Sequence, residues 1–215
     1  MKLEEIVKGI FHVNYPSQYS LASTFLRFQE HYESPKFRNK FFSLKEFKQW
    51  YTANSPEGKR TGKFTYYSDW AGFNIPSYVM RPFYEGRFDP MSRKEKTLLN
   101  AFEKMRKREF YVIGTYGDVE LDTLGHEIAH GLFYANSLYR KEVLGVVGGL
   151  PKQARKSMAD YLSVSGCYHE SVFDDETHAY ILSNPEMLDA ANVDEGIISR
   201  ANTELKSIFR KYYRG

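Results

Sequence analysis

The sequence predicts an α+β fold, and three observations predict it. Helical periodicity dominates the beginning and the last third of the 215 residues. Between them, Lys63–Tyr84 and Glu109–Thr115 are rich in aromatic and β-branched residues, the texture of short strands. An amphipathic segment opening on Ser92 separates those two stretches, so helices, a small sheet with a crossover helix, and helices follow in turn.

Taken in order, Met1 to about His12 and Ser17 to about His31 read as helices. In the second, Leu21, Phe25 and Phe28 fall at i, i+4 and i+7, one helical face. Ser43 to Tyr51 is a third short helix, with Ser43 and Glu46 as a capping box. From Lys63 to Tyr84 the expectation is two short strands joined by a turn. Pro76 and Pro82 put them at edge or irregular positions, because proline lacks the donor an interior ladder needs. Ser92 and Glu95 form a second capping box, opening a helix whose Leu98, Leu99, Phe102 and Met105 make one apolar stripe. A strand over Glu109–Thr115 then completes a right-handed βαβ unit. Beyond Gly117 and Asp118 a helix begins near Asp122. Pro151 to about Ser165 and Ser171 to Ser183 are further helices. Asn184-Pro185 stops one helix and restarts another, and Asn192 with Glu195 caps the last. The expected organisation is a single domain over 1–215: a helical region 1–60, sheet and central helix 61–136, and a helical region 137–215.

Composition narrows the function classes. The lone Cys167 can form no internal disulfide and leaves no Cys-rich zinc framework, which fits a reducing, cytoplasmic compartment. It reads most simply as a small buried residue. Two glutamates stand where a signal peptide needs positive charge. No stretch approaches the roughly 20 apolar residues of a membrane span. The net charge of +3 hides an asymmetry: Met1–Phe110 carries +8 and Tyr111–Gly215 carries −5. A basic, aromatic-rich half suits nucleic acid. No RNP-like, zinc-finger or Arg-rich signature accompanies it, so it reads first as a solvated face over an aromatic core.

His126-Glu127-Ile128-Ala129-His130 spells H-E-x-x-H. Residues four apart on a helix stand one above the other, so both imidazoles can bind one zinc ion while Glu127 directs a carboxylate at a water beside it. Neutral imidazole nitrogen suits Zn²⁺, and an uncharged ligand pair leaves the ion strongly Lewis acidic. With 6 His and 18 Glu in the chain, random arrangement would give the pattern about 0.014 times. Leu124, Ile128 and Leu132 form an apolar stripe on the opposite side of the same helix.

With these residues the chain resembles the zincin metallopeptidases, in which the HExxH helix packs under a small twisted sheet. The resemblance covers the strand, loop and helix from about Tyr111 to Asn136. It implies a zincin-like fold, one Zn²⁺ per chain, a peptide or protein substrate, and Glu127 as general base and then general acid. It also implies a third ligand. The metzincin extension fails, because Phe133 and Asn136 stand where Gly and His are needed. The best candidate lies in VFDDETHAYIL, Val172–Leu182, where Glu176, Ala179 and Tyr180 share a helical face. That layout looks like the gluzincin branch, whose ligand glutamate sits on a downstream helix. The branch's pattern has an acidic residue four positions later, and here that residue is Tyr180. Asp174 or Asp175 is then left to orient an imidazole. His178 and His169 are rival third ligands. Tyr180, Tyr168, His178 and His169 are candidate donors to a tetrahedral oxyanion. Tyr111–Thr115 resembles the zincin edge strand that pairs with an extended substrate, an interior strand being the alternative. Gly114 and Gly117 either loosen the cleft rim or only make the turn. Two rival functions stay open: a zincin scaffold that binds a partner or nucleic acid through its basic half, and a metal-dependent hydrolase of non-peptide amides or esters.

Overall fold

The computed structural model describes residues 1–34, 36–118, 121–165, 170–186 and 191–213. The chain is mixed α+β and divides into two compact units, Met1–Val119 and Glu120–Gly215. The division falls between the last strand and the HExxH helix, inside the segment 61–136 that the sequence groups together.

The first unit begins with an antiparallel hairpin of β1 (Lys2–Val7) and β2 (Ile10–Tyr15), where the periodicity suggests a helix. Alternation wins here. Phe11, Val13 and Tyr15 bury one face of β2, and Gly9, at φ 78°, makes the left-handed turn between the strands. Glu4 and Glu5 belong to the exposed strand of the hairpin. Helix α1 (Gln18–Glu33) forms as expected, capped by the Ser17 hydroxyl, with Leu21, Phe25 and Phe28 fully buried. Helices α2 (Leu44–Asn54) and α3 (Pro56–Thr61) follow, and the Ser43 hydroxyl accepts from the Glu46 N–H at 3.1 Å.

Between Lys63 and Tyr84 there is one strand, not two. Strand β3 (Phe73–Pro76) is flanked by α4 (Tyr66–Asp69), a 3₁₀ turn (Ser77–Met80) and α5 (Arg81–Tyr84). Burial of Tyr66 against Phe47, Tyr51 and Phe73 overrides the strand propensity of its neighbours. Helix α6 (Arg93–Phe102) carries both halves of the Ser92/Glu95 capping box and buries Leu98, Leu99 and Phe102. It leads to β4 (Tyr111–Tyr116).

The sheet order β1-β2-β4-β3 corrects one expectation and decides one open alternative. Strands β3 and β4 are antiparallel, so α6 does not build a βαβ unit with them; the parallel partner of β4 is β2. Strand β4 is therefore interior, and the edges are β1 and β3. Pro76 in β3 obeys the edge rule. Gly114 of β4 is where α1 comes closest: a Cβ there would lie 2.7 Å from the Phe25 ring and 2.9 Å from Leu21. Gly117, at φ 64°, turns the chain out of the strand.

The core of this unit is aromatic. Phe83 stacks on Phe28 and on Phe88, both at 3.9 Å between ring centroids. Arg27 is buried among them, donating to both oxygens of Glu95 at 2.6 and 2.8 Å and to the Phe88 carbonyl at 2.9 Å. Glu95 also accepts from the Ser92 N–H, so one carboxylate closes the cap of α6 and pairs the buried guanidinium.

The second unit is helical: α7 (Leu121–Ala135), α8 (Ser137–Gly149), α9 (Lys152–Ser165), α10 (Phe173–Ser183) and α11 (Glu195–Tyr213). Helix α10 packs against the other four and buries Thr177, His178, Ala179, Ile181 and Leu182. On α7, Ile128 and Leu132 are buried as the apolar stripe requires. Asn136 caps α8 by accepting from the Leu138 and Tyr139 N–H groups. The Asn202 amide donates to the Ile181 and Leu182 carbonyls, satisfying the last turn of α10. The cap of α11 is Asp194, whose carboxylate accepts from the Ile197 N–H, and not Asn192, which sits outside at φ 52°. No described helix is long and apolar enough to cross a membrane. Cys167, Tyr168 and His169 lie outside the described residues, so the roles weighed for them have no structural counterpart here.

Candidate metal centre

The candidate site lies within the second unit, between α7 and α10. Helical spacing puts His126 and His130 on one face of α7, and their Nε2 atoms face each other at 3.1 Å. Glu176, in the first turn of α10, brings Oε2 to 3.8 Å from His130 Nε2. One ligand atom from each of these three residues lies within 4.8 Å of the others. Among the described residues this is the group of His, Cys, Asp and Glu that can hold a metal ion.

Each imidazole is held from behind. His130 Nδ1 is 2.9 Å from Asp175 Oδ1, and His126 Nδ1 is 2.8 Å from the Ser183 hydroxyl. The carboxylate makes His130 Nδ1 a donor. Ser183 donates its own proton to the Ala179 carbonyl at 2.7 Å, so its oxygen is left to accept from His126 Nδ1–H. Both Nε2 lone pairs then point at one another. That contact is repulsive unless a cation or a proton sits between them.

The donor set fits zinc. Two Zn–N bonds of about 2.0–2.1 Å at a tetrahedral angle put the nitrogens about 3.3 Å apart, close to the spacing found. The Glu176 oxygen is further out, 3.8 Å from His130 Nε2, with the three ligand atoms within 4.8 Å of one another, so binding an ion would draw the carboxylate inward. The protonation balance agrees. Burial pulls His126 well below the usual histidine range, and the neighbouring imidazoles push the same way. Burial also opposes charge on His130. Asp175, by charge and hydrogen bond, with Glu176 and Glu127, more than reverses it, and His130 is raised.

The remaining sequence candidates find distinct places. Glu127 is half-buried, and its charge acts on His130. Tyr180 is half-buried, its ring 5.2 Å from that of His126 at 67°. Ala179 is fully buried on α10. His178 is not among the converging ligand atoms; its fully buried ring stacks on Phe133 at 5.2 Å and lies 6.1 Å from the His130 ring. Of the two aspartates, Asp175 orients an imidazole; Asp174 lines a separate recess with Arg155, Glu170 and Phe173. The residue that sequence reading missed is Ser183. Its signal was available, because it stands seven residues after Glu176 and so on the same face two turns later.

Compared with protein-family models, curated proteins and solved structures, the chain matches none of them. The meaning of the site therefore rests on its own chemistry.

Proposed function

We propose that the chain is a zinc-dependent metallopeptidase of gluzincin-like type, acting on a peptide or protein substrate in the cytoplasm. The observation that carries this reading is the convergence of His126, His130 and Glu176, with both imidazoles turned Nε2-inward by Asp175 and Ser183. His126, His130 and Glu176 would hold one zinc ion. When bound, zinc polarises a scissile carbonyl and makes water acidic enough to deprotonate near neutral pH.

The chain's own residues supply the rest. Glu127, adjacent to the first ligand, takes the proton of the attacking water and later delivers it to the departing amine. Tyr180, beside His126, is the phenol in reach to donate a hydrogen bond to the developing oxyanion. The zincin-like pairing of HExxH helix and downstream ligand helix is part of the proposal.

Protein purified without chelator is expected to carry about one zinc per chain, measured by elemental analysis. Glu127→Gln should keep the metal and lose peptidase activity by at least about a hundredfold. Stoichiometric absence of metal sinks the reading, and cleavage of small amides but not of any peptide redirects it to a non-peptide hydrolase.

One observation favours a second reading, a binding module for single-stranded nucleic acid. On the first unit, Lys94 sits 4.1 Å over Tyr19, Tyr19 packs on Tyr67 at 5.2 Å, and Lys48 caps Tyr67 and Phe64. Salt-sensitive oligonucleotide binding that survives Glu127→Gln would support it.

A further inference from the structure

The buried imidazole that the metal group leaves out is the most informative group remaining in the second unit. His178 is two residues from Glu176 on α10, fully buried, with its ring nearly parallel to Phe133 and edge-on to Tyr139 at 5.9 Å. A histidine serving only to fill this volume would be replaced at no cost by phenylalanine, since all its ring contacts are aromatic. Its polar contacts say more. Nδ1 lies 3.4 Å from Asp175 Oδ1, the oxygen that accepts from His130 Nδ1. Neither ring nitrogen makes a geometrically good hydrogen bond, so this buried N···O approach is the contact that couples the imidazole to the carboxylate.

We propose that His178 and Asp175 are a positioning pair: His178 fixes the carboxylate of Asp175, Asp175 fixes His130, and His178 itself ligates nothing. The inference rests on the metal-site reading above and adds what holds that site in register. Asp175 is in the first turn of α10 and partly exposed, so water can compete for its carboxylate and leave it some freedom to turn. The imidazole, stacked on Phe133 of α7 and 3.4 Å from that carboxylate, restricts this freedom. Partners behind a metal-bound histidine set ring orientation and ligand basicity, and their loss typically costs ten- to a hundredfold in metal affinity.

The test uses the full chain, with zinc affinity read by competition against a chromophoric chelator and the site geometry by the visible absorption of the Co²⁺ form. Asp175→Asn should weaken zinc binding about ten- to a hundredfold and His178→Phe about tenfold. Both should alter the Co²⁺ band, with helical circular dichroism unchanged. His178→Asn, whose amide can replace Nδ1–H, should recover much of the loss seen in His178→Phe. A folded His178→Phe with wild-type zinc affinity and an unaltered Co²⁺ spectrum overturns the proposal. Imidazole ¹⁵N spectra of the wild-type chain decide the matter even if the variants do not fold. Zinc should move the Nε2 signals of His126 and His130 and leave His178 nearly still; a His178 signal that moves as far as theirs makes it a ligand and overturns the pair. Failure of the wild-type chain to bind zinc is a different result, which removes the metal-site reading itself.

Discussion

The two units place polar groups in their interiors for opposite purposes. In Met1–Val119 the buried charges close on each other: Arg27 and Glu95 are both almost wholly buried, and Glu95 also completes a helix cap. Around them is a shell of phenylalanines. In Glu120–Gly215 the buried polar groups converge on a point. His126, His130 and Glu176 direct their donor atoms at one another, and the groups behind them, Asp175 and Ser183, fix that direction. A satisfied polar interior holds a fold, whereas a convergent one has capacity left for a ligand.

The largest expected effect comes from opening the satisfied interior. Arg27→Ala strands the Glu95 carboxylate in the aromatic core and should cost about 3–5 kcal/mol. Urea unfolding followed by tryptophan fluorescence measures it, because Trp50 and Trp70 both lie in the first unit. A loss below about 1 kcal/mol would mean that the pair is no more than a surface bridge.

Next is pH, where the units should diverge. Burial pushes the Glu30 carboxyl of α1 up to about 7, partly offset by hydrogen bonds from Tyr66 and Ser34, with Tyr51 also near. A raised folded-state value means that the contribution is complete below the unfolded value of about 4.5 and is lost as pH rises through 7. The first unit should therefore weaken by up to about 3 kcal/mol between pH 5 and 8, and Glu30→Gln should flatten the profile. Zinc-linked stabilisation of the second unit should run the other way, fading as protons displace the metal at low pH. Urea midpoints of the first unit that do not change between pH 5 and 8 would refute the first half of that contrast.

Smaller effects sharpen the same comparison. Gly114→Ala places a methyl group against Phe25 and Leu21 and should cost about 1–3 kcal/mol in the first unit. Asn136→Ala removes the cap of α8 and should cost about 1 kcal/mol in the second, read by hydrogen exchange of the α8 amides.

Local signals were legible wherever one helix satisfied its own needs. The Ser43 and Ser92 caps, the apolar stripe of α6 and the HExxH face of α7 all follow from spacing within a few residues. The N-terminal helix assigned to Met1–His12 failed because KLEEIVKGIFHVNY carries both periods, and only the long-range pairing of β2 with β4 selects the strand. The βαβ unit failed, and the choice between edge and interior for β4 stayed open, for the same reason, since strand direction and order depend on partners distant in sequence. The α11 cap moved two residues to Asp194, because Asn and Asp both suit a cap and only the backbone of Asn192 excludes it.

By itself the sequence determined the HExxH helix, the chemistry of its two imidazoles and carboxylate, and the short set of residues from which a third ligand to the proposed metal could come. Those depend on a repeat of 3.6 residues and on side-chain type. Only tertiary structure decided that Glu176 joins the two imidazoles while His178 stacks on Phe133 instead, and that Asp175 rather than Asp174 stands behind His130. The two α10 residues point in different directions from one helix, and which direction meets α7 is fixed by how the helices pack, which no local spacing encodes.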